Sequence, residues 1–213
     1  MAVRAKAKTG KRPSASRKPP KAGELRADAQ RNREKLIEAA APAFAEYGTN
    51  ASLEEIARRA GVGIGTLYRH FPTREHLVEV VYSHEVEQLL ALADELAERE
   101  APDVALEQWM LRLVGYIATK RGMGDSLRQL YASNSQLFAK ASGLMPKTLQ
   151  RLVEAAADAG LIRRDIQSAD LLQVLFGLYS APDTPDWRER SRRLVGLLMD
   201  GLRAGGPPRK RGG

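Results

Sequence analysis

The stretch SLEEIARRAGVGIGTLYRHF, residues 52–71, reads as two short helices joined by a glycine-containing turn. Ser52 followed three residues on by Glu55 is a reciprocal capping-box pattern, in which the hydroxyl accepts from the backbone and the carboxylate reaches back. Leu53, Ile56, Ala57 and Ala60 then recur on one helical face, so the first helix has a start and a buried side. Gly61 supplies the left-handed backbone that ends a helix, and Val62 offers a small apolar plug between the two. The second helix, Ile64 to Phe71, keeps Leu67 and Phe71 four apart on the buried side. That leaves Ile64, Gly65, Thr66, Tyr68, Arg69 and His70 for the outside or the ends. Two short helices in this order have the layout of a helix-turn-helix reader, and those six residues are what DNA would meet.

Outward from this stretch the chain continues as helix. A helix from about Asp28 to Tyr47 carries Leu36, Ile37, Ala40, Ala41, Phe44 and Ala45 on one stripe and stops at Gly48, with a kink expected at Pro42. Thr73 can cap a long helix to about Arg99, in which Val78, Tyr82, Val86, Leu89, Ala93 and Leu96 recur at spacings of three and four. Further helices are predicted at roughly 103–121, 124–139, 142–159, 168–181 and 185–203, punctuated by Pro102, Gly122, Gly143, Gly160, Pro182 and Pro185. No strand pattern and no internal repeat is legible. The expectation is an all-α chain: a three-helix helix-turn-helix domain over residues 24–75, then a larger helical domain over 76–204.

Composition bounds what else the chain can be. At 213 residues and 43% hydrophobic it can bury a sizeable core. The absence of cysteine excludes disulfides and thiolate metal sites and fits a reducing cytoplasm. Residues 1–23 lack the apolar run of a signal peptide, and no segment reaches the ~20 apolar residues of a membrane span. The longest uncharged run, Leu171 to Pro182, is read instead as a buried helix. Of the chain's 34 basic residues, eight lie in residues 1–23 and three in 205–213, leaving 23 against all 26 acidic residues in between, a balance of −3. The overall charge of +8 therefore belongs to the tails, which are rich in Pro, Gly, Ser and Ala and are expected to be disordered. The long tail either reinforces DNA binding by neutralising phosphates or serves as a solvated extension.

Catalysis finds little footing. No nucleophile elbow, P-loop or dinucleotide fingerprint occurs, and the three histidines, His70, His76 and His84, lack metal-ligand spacing, so no enzyme, metal or cofactor is expected. A nucleoid-type protein binding DNA through its basic tails is the alternative, but a long helical second half suits it poorly.

The run from Leu36 to Leu77 contains AAAPAFAEYG (39–48), SLEEIA (52–57), AGV (60–62) and GTLYRHFPTREHL (65–77). In these residues it resembles the DNA-binding domain of the TetR family of bacterial transcriptional regulators. The resemblance implies that Tyr68, His70 and Arg74 contact phosphates, that Ser52 is a phosphate contact as well as a cap, and that Gly63, Ile64, Gly65 and Arg69 approach base edges. Arg69 would fork onto a guanine. Many members carry Ser-Lys where this chain has Gly63-Ile64, so Ile64 would instead touch thymine methyls.

The resemblance further implies a pocket among the C-terminal helices for a small-molecule effector. The candidate lining residues are Trp109, Met110, Leu113, Tyr116, Tyr131, Phe138, Met145 and Phe176. The apolar excess of the last two helices, at Leu171, Leu175, Leu178, Leu194, Leu198 and Leu202, suggests a homodimer. In the family such a dimer reads a near-palindromic operator, usually as a repressor.

Overall fold

A computed structural model describes residues 22–134, 136–182 and 184–203. The expectations for both basic tails lie outside these residues, apart from Ala22 and Gly23, which open the first helix. Among the described residues the chain is all helix: α1 (Ala22–Tyr47), a 3-10 turn (Gly48–Asn50), α2 (Leu53–Arg59), α3 (Ile64–His70), α4 (Arg74–Arg99), α5 (Pro102–Gly122), α6 (Gly124–Ser133), α7 (Gln136–Asp158), α8 (Ser168–Ser180) and α9 (Trp187–Arg203).

The reader is a three-helix unit in which α1 packs on α2 and α3. Leu36, Ala40 and Phe44 of α1 meet Ile56 of α2 and Leu67 of α3, and all five are fully buried. The turn between α2 and α3 is a Schellman closure. Val62 N–H donates to the Ala57 carbonyl at 3.0 Å, Gly61 N–H donates to the Arg58 carbonyl at 3.1 Å, and Gly61 sits at φ +70°. Helix α4 begins beside the reader, with Thr73 Oγ1 accepting from His76 N–H at 3.1 Å, and runs on to pack against α5 and α7.

Helix α5 is the central element of the second half, touching α1, α4, α7, α8 and α9. It reaches α1 so closely that a Cβ on Gly122 would lie 1.8 Å from the Phe44 carbonyl oxygen. Glycine is required there because the two backbones meet. At the other end of α5, Arg203 of α9 bonds Asp103 and Glu107, each at 2.7 Å.

Two helix limits differ from those the sequence suggests. Helix α1 begins at Ala22 rather than near Asp28, because the good helix formers Glu24, Leu25 and Arg26 extend it. The break expected near Gly143 falls instead at Asn134, whose side chain donates to Glu79 at 3.2 Å while its backbone leaves helical geometry. Asparagine is a weak helix former and is favoured where helices end. Gly143 has open space where a Cβ would stand, so nothing forces an interruption there, and α7 continues through it and through Pro146. Helix α1 likewise continues through Pro42.

Candidate nucleic-acid interface and helical cavity

On α3, burial of Leu67 turns Gly65, Tyr68 and Arg69 outward together, as spacings of three and four dictate. Tyr68 is 48% exposed, and among the described residues neither it nor Arg69 has a hydrogen bond or ion pair. Gly63 caps α3 with an extended backbone, and its carbonyl accepts from Thr66 N–H at 2.9 Å. Ser52 is exposed at the start of α2, where its Oγ accepts from Glu55 N–H at 3.2 Å. These groups form a polar face with one mobile-proton donor, one unpaired guanidinium and backbone close to the surface, a combination suited to phosphates and base edges.

Other reader residues are less free. Ile64 is partly buried against the core, and Thr66 is half-buried. The half-buried His70 ring stands 6.2 Å from Phe71. Arg74 braces the fold, its Nη1 donating to the carbonyls of Thr49 at 3.0 Å and Ala51 at 2.8 Å.

The capping box expected at Ser52 is half made. Glu55 does not reach back to Ser52 but accepts from Arg58 at 2.7 Å and from Arg59 at 2.8 Å. These bonds, Arg58 first, hold its carboxyl down at about 2. Ser52 Oγ instead donates to Glu54 at 2.9 Å. Arg58 and Arg59 are thereby engaged with Glu55, whereas Arg69 presents its charge outward.

The second half holds a partly open cavity of about 710 Å³ between α4, α5, α6, α7 and α8. Trp109, Leu113, Tyr116, Tyr131, Phe138, Met145 and Phe176 all line it. Met110 does not; it joins Leu106 and Val114 on the neighbouring, fully buried stripe of α5. The wall also includes Tyr82, Lys120, Leu127 and Tyr179, which lie outside the set expected from the sequence. Lys120 was findable, since it follows Trp109, Leu113 and Tyr116 at helical spacing on the same aromatic stripe. Tyr82 reads as ordinary core from α4 alone; only the approach of α5 and α7 gives it a cavity. Its ring centroid lies 4.9 Å from that of Phe138, and the Tyr116 and Tyr82 hydroxyls are 3.4 Å apart. Burial pushes both phenols above their ordinary value.

Of the six expected dimer residues Leu194 is exposed, while the other five turn inward. Leu171, Leu175, Leu178 and Leu202 are buried within the protomer itself, and Leu198 is partly buried. They form the inward faces of α8 and α9, which hydropathy alone does not distinguish from an outward one. The Leu171–Pro182 run is accordingly buried on one side only. Its outer side shows Val174, 54% exposed, and α9 adds Leu194 and Leu197, 46% and 67% exposed. Arg121 fixes this pair of helices: its Nη1 donates to the Tyr179 and Ala181 carbonyls at 2.7 Å, and its guanidinium lies 4.7 Å from the Trp187 ring.

Comparison with known proteins matches both halves. Residues 36–81 match the family model described as bacterial regulatory proteins, tetR family, and residues 101–204 match the transcriptional regulator SbtR-like C-terminal domain. Among solved structures, the chain is similar to a TetR transcriptional regulator from Streptomyces coelicolor. The two are 42% identical with a TM-score of 0.72, over 82% of this chain and 99% of that one. A TetR transcription regulatory protein from Mycobacterium vanbaalenii is 36% identical with a TM-score of 0.65, over 84% of this chain and 99% of that one. An HTH-type transcriptional regulator of Staphylococcus aureus is 39% identical over 64 residues, 30% of this chain and 35% of the relative. The chain thus spans about a third of that curated relative's length.

Proposed function

The chain belongs to the TetR family of DNA-binding transcriptional regulators, and on that premise we propose that it is a ligand-responsive repressor. In this reading it binds a near-palindromic operator as a homodimer in the cytoplasm and is released by a small molecule. Residues 24–75 act as the reader and residues 76–204 as the regulatory and dimerising part. Tyr68, Arg69, Gly65, Gly63 and Ser52 meet the operator directly. His70 and Thr66 sit at its margin, Ile64 offers a partly buried apolar edge to thymine methyls, and Arg74 holds the α4 start in register.

The observation that carries ligand response is the path from cavity to reader. Helix α5 supplies the wall from Trp109 to Lys120 and ends two residues later at Gly122, backbone to backbone with Phe44 of α1. A ligand that prefers one setting of α5 thereby biases the position of α1 and the reader; differential affinity for two arrangements is all that release requires. The exposed Val174, Leu194 and Leu197 support dimerisation through α8 and α9, because a paired apolar surface leaves water on association.

Selection of genomic fragments by the purified full chain at near-physiological salt tests the reading. Recovery of one or a few near-palindromic sites, lost in the Arg69→Ala variant and released by an effector, is the expected result. Diffuse, salt-sensitive binding indifferent to the substitution would overturn it in favour of tail-driven association.

A further inference from the structure

The cavity wall is aromatic and aliphatic on nearly every side, and its few polar groups are mostly committed elsewhere. The Trp109 indole N–H donates to the Leu89 carbonyl at 2.9 Å. Ser142 Oγ donates to the carbonyls of Phe138 and Ala139 at 3.1 and 3.2 Å. Arg128 is paired with Asp125 at the exposed end of α6. Lys120 is different. Its Nζ stands 5.0 Å from the centroid of the Tyr179 ring, and among the described residues no carboxylate lines the cavity or pairs with it.

A partly buried ammonium facing one ring with no anion beside it is costly, because burial strips water from the charged form. Burial accordingly lowers the Lys120 pKa below its ordinary value. The Tyr179 ring face offsets part of this cost but supplies no counter-charge. An occupant that brought one negative group would complete the site, whereas a cationic occupant would meet repulsion. A multiply charged head would leave charges unmatched, because Lys120 is the one unpaired cation on the wall among the described residues. The volume of about 710 Å³ lies within the range of small-molecule sites.

We infer that the cavity takes a bulky hydrophobic molecule bearing a single carboxylate, its body among the rings of Tyr82, Trp109 and Phe138 and its head on Lys120. This assignment rests on the ligand-responsive reading above and gives that ligand a chemical class.

The test uses the full-length protein and the neutral fluorescent probe N-phenyl-1-naphthylamine. The probe is displaced by matched pairs, dodecanoate against dodecanamide and 2-naphthoate against 2-naphthamide. Each pair is run on wild type, Lys120→Met and Lys120→Arg. The acids are expected to displace the probe at least about tenfold better than the amides, the size of one charge-assisted hydrogen bond. Lys120→Met removes that preference while still taking up the neutral probe, which reports an intact cavity, and Lys120→Arg retains it. Equal displacement by acids and amides, or a preference that survives in Lys120→Met, overturns the carboxylate assignment and leaves the ligand cavity standing. Failure of the neutral probe and of every competitor to bind wild type overturns the ligand-cavity reading and this assignment together.

Discussion

Tyr68 and Arg69 stand next to each other on α3, yet in the proposed reading they play separable roles on DNA. A tyrosine hydroxyl on a phosphate fixes register without reading sequence, whereas a guanidinium on a guanine edge discriminates. Tyr68→Phe is therefore expected to weaken all operator variants alike by about 3- to 10-fold, one hydrogen bond's worth. Arg69→Ala should cost about 1–3 kcal/mol on the best site and flatten the ranking among variants. Binding isotherms on an operator library separate the two outcomes, and a uniform loss for both residues would refute the division of labour. Tyr82 and Tyr116 offer a second residue-scale check. Their phenols are raised by burial, so the folded chain holds their protons above pH 10 while the unfolded chain releases them. Stability then falls as pH rises past 10, and absorbance at the phenolate band should report these two of the six tyrosines only as the protein unfolds. Early titration of all six would contradict their burial.

The helices are held by a small number of local decisions. Ser52 begins α2 through one bond to Glu55 N–H, and because Glu55 spends its carboxylate on Arg58 and Arg59, no reciprocal bond shares the task. Ser52→Ala is thus expected to lower stability by about 0.5–2 kcal/mol in chemical denaturation, whether or not DNA is present. Glycines in helices divide by what surrounds them. Gly122→Ala would drive a methyl into the Phe44 carbonyl and should cost at least about 1–3 kcal/mol, a melting-temperature drop of roughly 2–12 °C. Gly143→Ala meets open space in the interior of α7 and should be neutral or stabilising by up to about 1 kcal/mol. Calorimetry on the pair decides; equal effects would mean that backbone contact between α1 and α5 is not what Gly122 provides. The α6–α7 boundary teaches the same lesson, since Gly143 looks like a stop in the sequence and Asn134, bonded to Glu79 of α4, is where the stop occurs.

At the scale of the whole molecule, the proposed dimer would form through the outer faces of α8 and α9, where Val174, Leu194 and Leu197 are exposed. Leu194→Glu with Leu197→Glu places two charges on the exposed stripe without touching the protomer core, so the chain should stay helical while its mass by light scattering falls from dimer to monomer. Operator affinity should fall with it, because one reader engages only half a site. A folded double variant that remains dimeric would move the interface elsewhere. The helices of the reader are legible in the sequence, because capping serine, helix-ending glycine and apolar spacing each act within a few residues, while their shared core is completed by Leu36, Ala40 and Phe44 of α1. Legible too are the all-helical class and the aromatic stripe of α5, because helical periodicity is written along the chain. Which leucines of α8 and α9 face inward, that Met110 leaves the cavity wall and Tyr82 joins it, and that Lys120 ends on that wall beside the Tyr179 ring follow from tertiary packing alone. Those outcomes depend on which neighbouring helix covers each face, and a single helix's hydropathy says how much surface must be buried without saying against what.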